Sequence, residues 1–142
     1  MILGPGDGRS LTLGTQALRI LSEGTGVHDV AIVDTVLPPG SGSGRHVHHG
    51  HEEAFFVIEG TVRLEVDGRE VDAGPGGFAL AQRGQVHAFS NESDTDARML
   101  AVYAPASAVG YLDELAEIVR SDGTVDAGEL AAFYERFDSA AG

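Results

Sequence analysis

Short β-branched and aromatic runs, each closed by a glycine- or proline-rich turn, follow one another through most of this chain. The runs cover residues 17–21, 30–37, 53–59, 62–66, 69–72, 78–81, 86–90 and 97–104. Pro38-Pro39-Gly40, Asp67-Gly68 and Gly74-Pro75-Gly76-Gly77 stand among the breaks. Such segments are too short for helices, and two-residue breaks such as Asp67-Gly68 are hairpin turns. Eight or nine short strands so closely spaced predict an all-β sandwich or barrel, not a parallel α/β sheet. The 20 glycines in 142 residues fit this reading. They show no G-x-y period, and a chain of many tight turns needs them.

The period changes after Pro105. Leu112, Leu115, Ile118 and Val119 follow helical spacing. Asp126 followed by Glu129 predicts a capped helix start, with the helix running to about Phe137. The expected organisation is an N-terminal arm over 1–13, a barrel over 14–105 and a short helical extension over 106–142. Nothing in the sequence decides whether that extension is a lid, a dimer element or packing. In 53–58 one parity carries Glu53, Phe55 and Val57 and the other Ala54, Phe56 and Ile58. Both faces are largely apolar, so both are expected to be buried, one inside the barrel and one against a second sheet or subunit.

Composition removes several kinds of chemistry. The net charge of −13 argues against nucleic acid and anionic membranes as partners. All nine basic side chains are arginine, so no lysine Schiff base is available, and without cysteine there is no thiolate nucleophile or Cys-zinc site. No apolar stretch approaches the ~20 residues of a membrane helix. The N-terminus does not read as a signal peptide, so the expected compartment is the cytoplasm.

Five of the six histidines fall into one cluster and one distant position: His46, His48, His49, His51 and His87. Imidazole and carboxylate together suit a borderline divalent metal. His46 and His48, two apart, leave the same face of a strand. Glu53 has the wrong parity for one continuous strand, but Gly50 supplies a bend, so Glu53 can begin the next strand and face the same ion. His87 starts a further strand after Gly84. Three imidazoles and one carboxylate would leave one or two positions open for water, substrate or O2. His49 and His51 are expected near the barrel mouth or in solvent, with His51 a candidate for supporting the ligands or moving protons. His28 reads as structural.

Gly40-x5-His46-x-His48-x4-Glu53-x6-Gly60 resembles the first motif of the cupin superfamily, and Gly76-x5-Gln82-x-Gly84-x2-His87-x3-Asn91 resembles the second. Gln82 departs from the pattern, which usually has a turn-shaping proline there. Fifteen residues separate the motifs, as in compact bacterial cupins. The resemblance covers about residues 14–105 and is nearest to the quercetin-dioxygenase-like branch of small cupins. It implies a jelly-roll β-barrel with one divalent transition metal (Fe, Mn, Ni, Co, Cu or Zn) held by His46, His48, Glu53 and His87. A swap of Glu53 with Glu52 is the main alternative, and the x6 spacing to Gly60 favours Glu53.

By parity, Phe55 and Val57 are expected to line the interior with Glu53, and Phe89 and Asn91 to lie on the His87 side, with Asn91 supporting the ligands. Phe78 and Leu80, or Met99, Ala101 and Tyr103, would complete the wall, and the Tyr103 phenol could orient a substrate. A largely apolar interior suits an aromatic or polyketide-like small molecule. The leading expectation is an enzyme oxidising a small metabolite with O2, in which Glu53 is both ligand and transient base. The alternatives are a non-oxidative isomerase, cyclase or lyase using the same ion as a Lewis acid, and a non-catalytic metabolite-binding protein. A homodimer is the default for such a chain.

Two further signals are discounted. Residues 122–129 resemble half an EF-hand loop, but Ile118 and Arg120 stand where acids are needed. The glycines of 40–44 precede neither lysine nor helix, so they are no phosphate loop.

Overall fold

Alternation along the strands decides which side chains meet. The computed structural model describes residues 1–23 and 29–142, which leaves His28 outside the described residues. Among the described residues ten strands precede the helical region: β1 Arg9–Leu13, β2 Gln16–Glu23, β3 Ala31–Leu37, β4 His46–His48, β5 Glu52–Glu59, β6 Val62–Val66, β7 Arg69–Ala73, β8 Phe78–Ala81, β9 His87–Ser90 and β10 Ala97–Ala104. After a 3-10 turn come α1 Gly110–Ile118 and α2 Ala127–Arg136, and a final strand, β11 Ser139–Ala141.

The strands form two antiparallel sheets, ordered β1-β2-β3-β10-β5-β8 and β11-β4-β9-β6-β7. Their inward residues share one core, with Ile20, Val33, Phe55, Val57 and Met99 from the first sheet and Val62 and Leu64 from the second. The all-β architecture predicted from turn spacing is therefore present, with the helices after Pro105 packed on it. Asp126 caps α2 as expected, accepting from Gly128 N–H at 2.9 Å and Glu129 N–H at 3.0 Å. Among the described residues no helix is long and apolar enough to cross a membrane.

Three expectations are corrected. Residues 9–13, read as part of an arm, form β1. The Gly14-Thr15 turn, with Gly14 at φ +59°, folds this strand back on β2 so that Leu13 pairs with Gln16. Residues 139–141, read as the end of a helical extension, form β11 against β4. Both strands are short; β1 pairs with the strand that follows it, and β11 with a strand about 90 residues earlier. The third correction concerns Phe78 and Leu80, offered as interior wall. The inward face of β5 is buried, whereas on its outer face Phe56 is 44% exposed, next to Phe78 at 62% and Leu80 at 42%. That outer face is uncovered in a single chain, and Phe78 and Leu80 therefore do not line the interior. Met99, Ala101 and Tyr103 do point inward.

Candidate metal centre

Each candidate ligand is placed by a different strand end. His46 and His48 point inward from β4, and His87 opens β9 directly opposite His46 in the ladder. Glu53 comes from the other sheet, second residue of β5, paired with Tyr103 on β10. The cluster thus bridges the two sheets at one end of the barrel. Gln82 closes the turn before β9 without a proline: Gln85 N–H donates to Gln82 O at 3.0 Å, and the Gln85 side chain accepts from Gln82 N–H at 2.9 Å. Gly84, at φ +82°, donates to His48 O at 2.8 Å and ties this turn to β4.

One donor atom from each of His46, His48, Glu53 and His87 falls within 4.8 Å of the others. An ion bound at about 2.1 Å holds its ligand atoms roughly 3–4 Å apart, so the four need to close only slightly. All four residues are buried. The Nε2 atoms of His48 and His87 lie 3.0 and 3.4 Å from Glu53 oxygens, yet neither makes an aligned hydrogen bond. Buried polar atoms are normally satisfied. Two imidazole nitrogens left over around a carboxylate are what a cation would satisfy, so the residues fit a divalent metal.

The electrostatics of two of the three rings agree. Burial pushes His46 down to about 4 against the pull of Glu53, and burial lowers His48 as well. Both rings stay neutral at pH 7, as metal ligands must. Burial works to lower His87 too, but Glu53 and the Gln85 carbonyl outweigh it and raise that ring. For Glu53, burial favours the neutral acid, but the rings of His48, His51 and His87 overcome this and hold the carboxyl well below its usual range.

His51 is not in solvent. It is buried, its Nε2 is 3.2 Å from Glu53 Oε1, and its ring stacks on His48 at 4.0 Å between centroids. The bend at Gly50 turns it inward, which strand parity alone did not allow for. His49 is exposed. Asn91 does not face the cluster. Its Nδ2 donates to Leu37 O and Thr95 O, and its Oδ1 accepts from Ser93, so it clamps the turn between β9 and β10.

A cavity of about 370 Å³ opens from the cluster toward the helical region. Of the expected wall residues, Phe89 and Tyr103 line it; Phe55 and Val57 are fully buried core behind it. Three features of the wall were not foreseen. Tyr111 on α1 meets the His48 ring edge-on at 4.8 Å, Tyr134 on α2 lies parallel to His46 at 6.3 Å, and Leu112, Leu115, Val119 and Leu130 add an apolar roof. Burial raises the phenols of Tyr103, Tyr111 and Tyr134, so all three remain protonated donors. Their helical spacing marked only a buried face, and nothing local tied that face to the histidines.

Comparison with known proteins follows the same lines. The family model for the cupin domain matches residues 33–103. An oxalate-binding protein of Thermotoga maritima is 33% identical over 66 residues, 46% of this chain and 54% of that protein. Quercetin 2,3-dioxygenase of Bacillus subtilis is 29% identical over 105 residues, 73% of this chain and 31% of that protein. The chain therefore spans about half or less of the length of these relatives. The crystal structure of a predicted oxalate decarboxylase from Thermotoga maritima superposes with a TM-score of 0.66 at 22% identity, over 73% of this chain and 98% of that one. That likeness identifies the two-sheet architecture as a jelly-roll barrel.

Proposed function

Since this chain belongs to the cupin family, we propose that it is a metal-dependent enzyme acting on a small, largely apolar metabolite, with O2-dependent oxidation as its reaction. The observation that carries the metal is the pair of unsatisfied Nε2 atoms facing an ionised, buried carboxylate. In this reading His46, His48, Glu53 and His87 hold one divalent ion. When bound, that ion supplies Lewis acidity and one or two open positions. Oxidation draws its support from the similarity to quercetin 2,3-dioxygenase, which runs over 73% of the chain.

The chain's own residues give the reaction its setting. Glu53 lines the cavity and accepts a proton from a substrate hydroxyl, and His51, 3.2 Å away, steadies the carboxylate as it does so. Tyr103, Tyr111 and Tyr134 orient polar substituents, while the helical roof excludes water. The wall suits an aromatic or polyketide-like molecule better than a dianion. Among its described residues Arg45 is the one with a fixed positive charge, and Arg45 already pairs with Glu65 at 2.8 Å. A second reading, a metabolite-binding protein without catalysis, is favoured by the 33% identity to the oxalate-binding protein.

In the same reading the protein is cytoplasmic and a homodimer, with the exposed Phe56, Phe78 and Leu80 face as the contact. The deciding experiment is metal content of untagged protein purified without oxygen, followed by oxygen uptake over a panel of phenolic and polyketide-like compounds. About one ion per chain, lost in His48→Ala with secondary structure intact, supports the site. Turnover that persists without O2 transfers the assignment to isomerase, cyclase or lyase chemistry. Retained stoichiometric metal in His48→Ala sinks the ligand assignment.

A further inference from the structure

Two of the three candidate imidazole ligands are oriented locally. His46 and His87 each donate Nδ1–H to the carbonyl two residues earlier, Gly44 at 2.7 Å and Gln85 at 3.0 Å. His48 has a different arrangement. Its Nδ1 meets the Ser139 hydroxyl at 2.6 Å, 91 residues further along the chain.

The ladder puts that hydroxyl in place. β11 runs antiparallel to β4 with Ser139 opposite His48, so the two side chains share the inward face. His49 N–H to Asp138 O at 2.9 Å and Gly142 N–H to Arg45 O at 2.8 Å extend the pairing beyond either end. Asp138, at φ +49°, makes the left-handed step that turns the end of α2 into β11. A free hydroxyl can either donate or accept. The hydroxyl also lies 3.0 Å from Phe137 O, a carbonyl that can only accept. With its proton given to Phe137 O, Ser139 turns a lone pair to His48, and the imidazole then carries its proton on Nδ1. Its bare Nε2 then points at the space beside Glu53.

We propose that Ser139 is a positioning residue for His48, and that docking of β11 on β4 therefore completes the metal centre. This rests on the metal reading above. Hydrogen-bond partners of ligating histidines fix the tautomer and ring orientation, and their loss typically costs 10–100-fold in metal affinity. The coupling is reciprocal: a bound ion holds β11 down, and docked β11 tightens the ion.

The test compares wild type, Ser139→Ala and Ser139→Thr. Two-bond 1H–15N NMR reads the His48 tautomer in the metal-free protein, and competition with a chromophoric chelator reads zinc affinity. Wild type is expected to show His48 protonated on Nδ1 alone, and a wild-type ring protonated on Nε2 overturns the proposal. Ser139→Ala is expected to mix the tautomers and weaken zinc binding by about 10–100-fold. Ser139→Thr, which keeps the hydroxyl, restores both. An unchanged tautomer in Ser139→Ala overturns the proposal, as does wild-type zinc affinity in that variant. Failure of threonine to rescue also overturns it, since the loss would then be one of packing. If wild type itself binds no zinc, the metal reading fails first and the positioning role falls with it.

Discussion

Replacing Phe133 by alanine tests whether the helical region is part of the core or a loose appendage. The side chain is 0% exposed, and its ring contacts Tyr111 at 4.6 Å, Phe137 at 5.0 Å and Tyr134 at 5.8 Å between centroids. A buried aromatic removes about 150–250 Å² from water. At about 25 cal/mol per Å² that corresponds to roughly 4–6 kcal/mol, an upper figure because the denatured chain already hides some of it. Alanine keeps one carbon and leaves a cavity, so the expected loss is about 3–5 kcal/mol. Phe133→Leu, which retains most of the volume, is expected to lose about 1 kcal/mol. Urea denaturation provides the assay, read by far-ultraviolet circular dichroism and by tyrosine emission. The chain has three tyrosines and no tryptophan, and all three line the cavity, so emission reports that region alone. Val71→Ala, at a position 48% exposed and away from the Phe56, Phe78 and Leu80 face, serves as the control and should move stability by no more than about 0.5 kcal/mol. A Phe133→Ala midpoint indistinguishable from that control would refute the packing argument. An emission transition that precedes the dichroism transition would show the helical region opening first, as a separate unit.

Four further outcomes are expected. In chelator-treated protein, His46 has a folded pKa of about 4 against its ordinary 6.5, so its contribution to stability is present above pH 6.5 and disappears as pH falls toward 4. The loss amounts to about 3 kcal/mol, and His46→Asn should flatten the acid limb of a stability–pH curve in that window. His87 has the opposite sign: its raised pKa stabilises below 6.5 and that contribution fades as pH rises through the folded value, so His87→Asn should flatten the other limb. Gly60→Ala should cost more than about 1 kcal/mol by thermal or urea melt, because φ is +72° and the new Cβ would sit 2.8 Å from Asp96 O and 2.9 Å from Ala97 Cα. Phe78→Glu should shift a dimer to monomer in sedimentation velocity while the far-ultraviolet dichroism keeps its wild-type strand signal; an unchanged sedimentation coefficient would remove this face from the interface.

The chain shows in its letters whatever depends on short-range pattern. Turn spacing predicted the strands because a period-2 run between glycines has few other stable outcomes. His46, His48 and His87 were legible because strand parity fixes which face a side chain leaves. Glu53 was legible through the bend at Gly50 and the spacing to Gly60. Parity also misled where a bend intervened: it left His51 outside, while the turn at Gly50 brings it against Glu53. Asn91 shares parity with His87 but stands just beyond the end of β9, where its side chain clamps the next turn instead of the histidine cluster. Long-range packing decided the rest. Phe55 and Val57 face inward as predicted, yet Phe89 and Tyr103 form the cavity wall, because which inward residue borders a void depends on what the opposite layer fills. Tyr111, Tyr134 and Ser139 carry no local mark of their place beside the histidines. They arrive there because α1 and α2 bury their apolar faces on the barrel mouth and β11 finds an open edge at β4. A sequence period states that a face will be buried, and only the tertiary contact determines against what.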